Sequence, residues 1–265
     1  MKYQILKYIS PAYPWKEQLT FFPTIDSTND QLRALAKAGA PHGTAVIAGH
    51  QTAGHGRRGR SFHSPEGVGV YMSILLRPDC PASELMHLTC ATAVAMCDAV
   101  EASAGFRPGI KWTNDLVSGK RKLGGILTEL GFSAIGNVDW VIVGIGINCR
   151  QTIQDFPDEI QDMAGSLAMI TGCDIDRAKV AAAMLDALYT MSENLIDHKD
   201  TILNRYRADC ITLHQDVVLV RGDEKRYGHA IDVDPDGALV VSFADGHTEA
   251  VNSGEVSVRG MYGYV

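Results

Sequence analysis

The chain has 265 residues and a formal net charge of -7, with 46% hydrophobic and 21% charged residues. These values are typical of a soluble globular protein. Nothing before Pro11 resembles a signal peptide, and no segment approaches the ~20 apolar residues of a membrane span. Six scattered cysteines without a C-x-x-C pair argue against a zinc site or a redox dithiol. We therefore expect a cytoplasmic protein with reduced thiols.

The first half of the chain alternates strand and helix patterns after a strand-like opening. Residues 26–39 predict a helix that Ser27 caps and a glycine ends. Residues 44–49 and 68–76 predict strands on either side of a glycine-rich loop. Apolar residues at helical spacing over 83–102 predict a long core helix.

The elements that follow are expected to complete one large domain, residues 1–212. The patterns predict a strand at 109–112, a hairpin at 116–130, a strand at 140–147, and helices at 166–170 and from 177 to about 206. This mixture predicts an α+β fold with helices packed on a mixed, mainly antiparallel sheet.

From about residue 214 the pattern changes to short β-rich stretches separated by turn signals. Strands are predicted at 217–220, 227–233, 238–243, 249–251 and 256–258, with turns at 221–223, 235–237 and 245–246. We expect residues 213–265 to form a small five-stranded barrel.

The most informative segment is Gln51–Arg60, which holds three glycines, three arginines and no acidic residue. Glycines let backbone N–H groups approach a ligand, and guanidinium groups pair with carboxylate or phosphate oxygens, so an anion site is expected. Residues 54–59 also match G-x-G-x-x-G. The next residues, Ser61–Gly67, are too rich in helix breakers to form the helix that a nicotinamide site needs, so that interpretation fails.

Four further motifs contain residue types suited to ligand binding. For each of them a purely structural role is also considered. Ser27-Thr28-Asn29 is either a helix cap or a polar ligand site. In Lys111–Asp115 the tryptophan is typical of a core and Asn-Asp of a turn, but the cluster as a whole favours a site. The glycines of Lys122–Leu127 indicate close approach of a ligand or another backbone, and those of Gly144–Asn148 fit close packing and binding equally well.

Taken in order, these segments resemble the motifs of the biotin protein ligases. That family carries a Ser-Thr-Asn element, an arginine–glycine loop, and elements of the form Lys-Trp-Pro-Asn-Asp, Lys-Leu-Gly-Gly-Ile-Leu and Gly-x-Gly-Ile-Asn. All occur here in the same order, and the C-terminal region ending at residues 254–259 looks like the family's SH3-like barrel. The resemblance covers nearly the whole chain. It implies a core of the class II synthetase type, shared by biotin and lipoate ligases.

The resemblance also implies roles for individual residues. Lys122 and Arg57 are implied as catalytic, and Asp115 as a magnesium ligand. The implied biotin contacts are Ser27, Thr28, Asn29, Gln51, His55, Gly56, Arg57, Lys122, Gly124, Gly125, Gly144 and Gly146. The implied ATP contacts are Arg58, Arg60, Phe62, Lys111, Trp112, Asn114 and Asn148.

Three positions depart from the family pattern. His55 stands where arginine is frequent, and a histidine carries less charge at neutral pH. Thr113 replaces proline. Phe62 replaces a tryptophan that can stack on adenine, and it keeps a stacking face without the indole donor. Only about twenty-five residues precede Ser27, so we expect neither the winged helix of family members that repress transcription nor DNA binding.

The implied activity is ATP-dependent and AMP-forming. Biotin would be activated to biotinyl-5'-AMP and passed to a lysine of a biotin carboxyl carrier protein of acetyl-CoA carboxylase or another biotin-dependent carboxylase. A lipoate or octanoate ligase of the same fold is the alternative. A nucleic-acid binder is disfavoured, because residues 211–265 hold four Lys or Arg against nine Asp or Glu. The sequence leaves the oligomeric state open, including a homodimer, and predicts no membrane partner.

Overall fold

The computed structural model describes residues 1–221, 224–252 and 257–260. Within these ranges the chain forms two sheets and six α-helices. The helices are α1 (Lys2–Tyr8), α2 (Thr28–Lys37), α3 (Leu88–Ala104), α4 (Leu167–Thr171), α5 (Arg177–Asn194) and α6 (Lys199–Asp209).

The first sheet has seven strands in the order β1-β2-β3-β7-β6-β5-β4. Only the β1/β2 pair is parallel, which confirms the predicted α+β fold with a mainly antiparallel sheet. The strands are β1 (Leu19–Ile25), β2 (Ala45–Gln51), β3 (Gly69–Leu76), β4 (Gly109–Lys111), β5 (Asp115–Ser118), β6 (Arg121–Phe132) and β7 (Val138–Asn148).

Alternate side chains cover the sheet on both faces. On one face Val46, Leu75 and Ile142 pack with Leu32 of α2. Their strand neighbours belong to the larger core around α3 and α5. Because successive side chains of a strand point to opposite faces, two-sided burial explains why the central strands are almost uniformly apolar.

Helix α2 begins as predicted. The Ser27 hydroxyl accepts a hydrogen bond from the Asp30 amide at 3.4 Å, which satisfies one free donor of the first turn. Thr28 and Asn29 are consequently buried in this first turn, each 4% exposed. The cap therefore directs polar groups into the protein.

The prediction that no segment is long and apolar enough to span a membrane is wrong for Ala82–Ala104. By length and composition this 23-residue stretch could span a membrane, and it is the one such stretch among the residues described. Of its most apolar window, 72% is buried inside the protein. It includes α3, the central helix of the larger core.

The single helix expected from 177 to about 206 is also wrong, because the chain turns between α5 and α6. At this turn the Leu195 carbonyl accepts a hydrogen bond from the buried His87 ring at 2.8 Å. The contact comes from a residue 108 positions earlier in the chain, so no local sequence pattern indicates it.

The second sheet has five antiparallel strands in the order β11-β10-β9-β8-β12. Its strands are β8 (Asp216–Arg221), β9 (Glu224–Val233), β10 (Leu239–Ser242), β11 (Thr248–Val251) and β12 (Ser257–Gly260). Residues 222–223 of the turn predicted at 221–223, and residues 254–256, lie outside the described ranges. Closure into an SH3-like barrel and the boundary at 212/213 stay predictions.

Candidate active site

A pocket lies where the start of α2, the end of β2 and the strands β6 and β7 meet beneath the arginine–glycine loop. The pocket has a cavity volume of about 50 Å³, and about 470 Å³ of empty space when its open mouth is counted. Its lining is Ser27, Thr28, Asn29, Gln51, His55, Gly56, Arg57, Phe62, Asn114, Lys122, Gly125, Ile126, Leu127, Gly144, Ile145 and Gly146. The structure thus brings together residues from five separate motifs.

Gln51 ties the helix start to the loop. Its Oε1 accepts from the Thr28 amide at 2.9 Å and the Thr28 hydroxyl at 3.0 Å. Its Nε2 donates to the Ser64 hydroxyl at 3.0 Å, and that hydroxyl donates to the Phe62 carbonyl at 3.0 Å. Both ends of the Gln51 amide are used, so its orientation is fixed.

Asn29 is held by two residues that the motif analysis did not identify. Ser73 donates to Asn29 Oδ1 at 2.5 Å, and Asn29 Nδ2 donates to Glu129 Oε2 at 2.8 Å. Ser73 is a polar residue in an otherwise apolar, fully buried strand. Buried polar side chains are normally hydrogen-bonded. A serine within this apolar run could therefore have indicated a buried polar contact.

The glycines of β6 and β7 make room for protein groups. A Cβ on Gly144 would lie 2.0 Å from Asn29 Oδ1, and one on Gly146 would lie 2.3 Å from the Phe62 ring. A Cβ on Gly124 would lie 2.7 Å from the Gly146 carbonyl. Gly125, Gly144 and Gly146 line the pocket, whereas Gly124 is absent from its lining. For Gly124 the close approach is therefore that of a neighbouring strand, and the implied biotin contact stays a prediction.

The arginine–glycine loop is a closed hairpin. The Phe62 amide donates to the Gly54 carbonyl at 2.8 Å and the Gly56 amide to the Arg60 carbonyl at 2.6 Å. Arg58 at its tip has a left-handed φ of 59°, and a non-glycine residue there costs backbone energy. No helix follows the loop over 61–67, in agreement with the rejection of a nicotinamide site.

Side chains anchor this hairpin at two places. His55 Nε2 lies 2.7 Å from Asp30 Oδ2 on α2, and Arg57 donates to Asn114 Oδ1 at 2.7 Å. Asn114 in turn donates to the Ile126 carbonyl at 3.0 Å. The loop is thus attached to both sides of the pocket that it covers.

Two cations face the same pocket. Lys122 Nζ donates to Asp115 Oδ1 at 2.5 Å. Burial lowers the pKa of Arg57 from its ordinary value, and the nearby Asp115 carboxylate acts in the opposite direction. An arginine remains charged at any physiological pH. The pair of cations can therefore neutralise two anionic groups brought close together.

A second pocket adjoins the first, and Phe62 and Lys122 belong to both linings. It holds about 670 Å³ of empty space with its mouth. Its other lining residues are Arg60, Ser61, His63, Asn148, Phe156, Ile160, Met163 and Ala164. The last four come from a segment with no motif, and only their apolar character within a polar stretch could have indicated a role.

Comparison with known proteins places the fold and both pockets in context. The Biotin/lipoate A/B protein ligase family matches residues 21–148, and the Biotin protein ligase C terminal domain matches residues 212–259. The Bifunctional ligase/repressor BirA of Bacillus subtilis is 37% identical over 238 residues, which cover 87% of this chain and 71% of that protein. The chain belongs to the biotin protein ligase family.

Other members of the family also match this chain over most of its length. A Biotin--[acetyl-CoA-carboxylase] ligase of Mycobacterium tuberculosis is 31% identical over 91% of this chain and 89% of its own length. A biotin protein ligase from Aquifex aeolicus, solved in complex with biotin and ATP, superimposes with a TM-score of 0.77. It is 31% identical and covers 91% of this chain and 98% of that one.

Five residues implied by the family resemblance line neither pocket: Arg58, Lys111, Trp112, Asp115 and Gly124. Trp112 is 6% exposed. Its indole donates to the Gly237 carbonyl at 2.9 Å, at the turn before β10 of the second sheet. The tryptophan therefore joins the ligase core to the C-terminal sheet, and its implied contact with ATP stays a prediction.

Trp112→Phe tests this assignment. The variant should be destabilised by about 1–3 kcal/mol, because the Gly237 carbonyl loses its donor and the smaller ring leaves a gap. A thermal melt measures the loss of stability. The KM for ATP should stay within twofold of the wild-type value. A large rise in this KM at unchanged stability would show that Trp112 contacts ATP.

The implied magnesium contact of Asp115 would be that of a single protein carboxylate, and it stays a prediction. In the described part of the chain no three or more His, Cys, Asp or Glu side chains come together as a metal site would need. One Asp115 oxygen accepts from Lys122. Magnesium that arrives with ATP counts as part of the substrate, since this ion commonly keeps waters and phosphate oxygens as ligands.

Asp30 is the anchor of the loop on α2. Burial alone would raise the pKa of Asp30, but hydrogen bonds from His55 and Arg33 outweigh it and hold the pKa below its ordinary value. A carboxylate with a lowered pKa stabilises the folded state above its ordinary pKa and stops doing so as the pH falls through the lowered value. The anchor is therefore intact at neutral pH and lost only in strong acid.

Asp30→Asn should free the loop at neutral pH. Without the carboxylate, trypsin should cleave after Arg57, Arg58 or Arg60 about 5-fold faster, as expected for the loss of about 1 kcal/mol of attachment. Asp139→Asn, which removes the partner of Arg77 in an exposed pair outside both pockets, is the control and should not change the rate. Equal cleavage rates in both variants would contradict the role of Asp30.

Proposed function

We propose that this chain activates biotin with ATP to biotinyl-5'-AMP and then transfers biotin to a lysine of a biotin carboxyl carrier protein. The single observation that carries the proposal is the pair of adjoining pockets with Lys122 in both linings. A reaction between two separate anions needs two sites that meet at a cation. Family membership supports biotin and ATP as the two substrates.

The first pocket suits biotin by its chemistry. Hydroxyl and amide groups of Ser27, Thr28 and Asn29 stand beside the apolar side chains of Ile126 and Leu127. A polar ring with an apolar tail needs this combination, and the tail's carboxylate needs a cation such as Arg57 or Lys122. The second pocket suits the nucleotide. Phe62 supplies an apolar face on which the base can stack, and the Asn148 amide can form hydrogen bonds with the base.

In the first step, a carboxylate oxygen of biotin forms a bond to the α-phosphorus of ATP. The bond from that phosphorus to the bridging oxygen breaks, and pyrophosphate leaves. Arg57 and Lys122 reduce the repulsion between the two anions as they approach. Lys122 acts as a charge clamp and forms no covalent intermediate.

In the second step, the neutral amine of the carrier lysine attacks the acyl carbon of the adenylate. The bond from carbon to the phosphate oxygen breaks, AMP leaves, and the amine loses a proton to solvent. The adenylate is prone to hydrolysis before this transfer, so a closed hairpin over the pocket preserves it. We assign this role to the loop anchored by Asp30 and Asn114.

Intact-mass analysis of a carrier domain tests the proposal. The carrier is incubated with this protein, ATP and magnesium, and with either biotin or lipoate. One added mass equal to biotin less water is expected, and only with biotin. A lipoate increment would instead establish the alternative acyl ligase, and no increment with either acid would refute both.

We also propose that the ligase domain ends near residue 212 and that the remaining residues form a separate SH3-like domain. The match of a C-terminal family model to residues 212–259 supports this division. The five antiparallel strands from Asp216 onward support it as well.

A further inference from the structure

A wholly buried glutamine stands behind the second pocket and holds one of its lining residues. Gln151 is 0% exposed. Its Nε2 donates to Asn148 Oδ1 at 3.0 Å, while Asn148 Nδ2 donates to the Gly165 carbonyl at 2.9 Å. Flipping the Asn148 amide would set two donors against each other and two acceptors against each other. Its orientation is therefore fixed from both ends.

Gln151 is itself held in one orientation. The Tyr71 hydroxyl donates to the Pro65 carbonyl at 3.0 Å, so its oxygen accepts from Gln151 Nε2 at 3.4 Å. The Tyr71 contact therefore fixes the side of the amide that faces Asn148. Ser166 donates to the main-chain carbonyl of Gln151 at 2.7 Å and holds the backbone there.

Packing alone does not account for a glutamine at this position. Gln151 Oε1 is buried and has no hydrogen-bond partner among the residues that the structure describes. An unmet buried acceptor destabilises a fold, and an apolar side chain of the same length would avoid the cost. The contact to Asn148 is the feature that a glutamine supplies and an apolar residue does not.

Asn148 retains the groups needed to recognise a base. After the two contacts above, one N–H and one oxygen lone pair remain on its amide. Adenine presents a donor and an acceptor side by side, N6–H and N7, which an asparagine amide pairs in two-pronged fashion. Guanine presents two acceptors, O6 and N7, on the same edge. A fixed amide thus accepts adenine and opposes guanine.

We propose that Gln151 is a positioning residue that acts through Asn148 to set the preference for adenine over guanine nucleotides. This inference rests on the proposed function, which assigns the second pocket to ATP. Gln151 itself lies in neither pocket lining.

Gln151→Met tests the proposal, because methionine keeps the length of the side chain and removes the donor to Asn148. The KM for ATP should rise about tenfold, and the ratio of kcat/KM for ATP to that for GTP should fall about tenfold, as for the loss of one neutral hydrogen bond. The kcat and the KM for biotin should stay within twofold. Calorimetric titration of ATP and GTP gives the same comparison without turnover.

The control is Gln18→Met, the same change at a glutamine whose Oε1 is also buried without a partner but which lines neither pocket. It should leave the nucleotide ratio unchanged. A double-mutant cycle with Asn148→Ala separates positioning from packing. If Gln151 acts through Asn148, Gln151→Met should have no further effect on the ratio in the Asn148→Ala background.

An unchanged nucleotide ratio in Gln151→Met, or full additivity in the cycle, overturns the inference while the proposed function stands. A wild-type protein that makes no biotinyl adenylate from any nucleotide overturns both. If Gln151→Met does not fold, Tyr71→Phe removes the hydroxyl that orients Gln151 and should shift the ratio in the same direction by a smaller factor. An unshifted ratio in that variant also counts against the inference.

Discussion

Lys122→Met should lower biotin-dependent pyrophosphate exchange by about 10³-fold, the largest effect of any substitution proposed for this chain. Methionine retains most of the apolar stem but removes the charge shared by the two pockets. Without it, the biotin carboxylate and the α-phosphate approach each other with less neutralisation. The loss should appear in kcat as well as in kcat/KM, because the charge is needed most in the transition state.

Two further variants make this result specific. Lys120→Met changes an exposed lysine in the neighbouring turn and should retain wild-type exchange. Lys122→Met combined with Asp115→Asn removes the carboxylate that pairs with Lys122 at 2.5 Å. If the loss came only from disturbing that pair, the double variant would recover activity. We expect no recovery, and near-normal exchange in either Lys122 variant would refute the role of Lys122.

Gly144→Ala should raise the KM for biotin about 10²-fold. The new Cβ would lie 2.0 Å from Asn29 Oδ1, and β7 is held between β3 and β6, so the strand has little freedom to yield. Asn29 must then leave its contacts with Ser73 and Glu129, which removes a fixed polar group from the pocket. Overpacking should also cost about 1–3 kcal/mol of stability.

The control for Gly144→Ala is another crowded glycine, one that lies outside the pockets. A Cβ on Gly109 would lie 2.6 Å from the Ile211 side chain. Gly109→Ala should therefore lose stability to a similar degree in a denaturant titration and keep the wild-type KM for biotin. A normal KM in Gly144→Ala would show that Asn29 is not needed in its observed position.

The sequence predicted those parts of the site in which function and local pattern coincide. The Ser27 cap, the glycine-rich hairpin and the strands carrying Lys122 and Gly144 each have a local signature. Their convergence on one pocket followed from the resemblance to a family, since the segments are far apart in the chain.

The sequence did not indicate contacts between residues that are distant along the chain. Trp112 was grouped with Asn114 because the two are adjacent in one motif. In the structure Asn114 lines the first pocket, whereas the Trp112 indole donates to the Gly237 carbonyl of the C-terminal part. At the break between α5 and α6 the Leu195 carbonyl accepts from His87, and Asn29 is held by Ser73 and Glu129. None of these pairings produces a periodic pattern in the sequence.

The bond from Trp112 to Gly237 has a consequence for exchanging parts between related ligases. Two residues after Trp112, Asn114 holds Arg57 of the covering hairpin. A short strand end thus links the C-terminal sheet at one side to the lid of the reactive pocket at the other. In a chimera, a C-terminal sheet that places no carbonyl at the position of Gly237 would leave the Trp112 indole without its acceptor, and the junction between the two parts would lose stability.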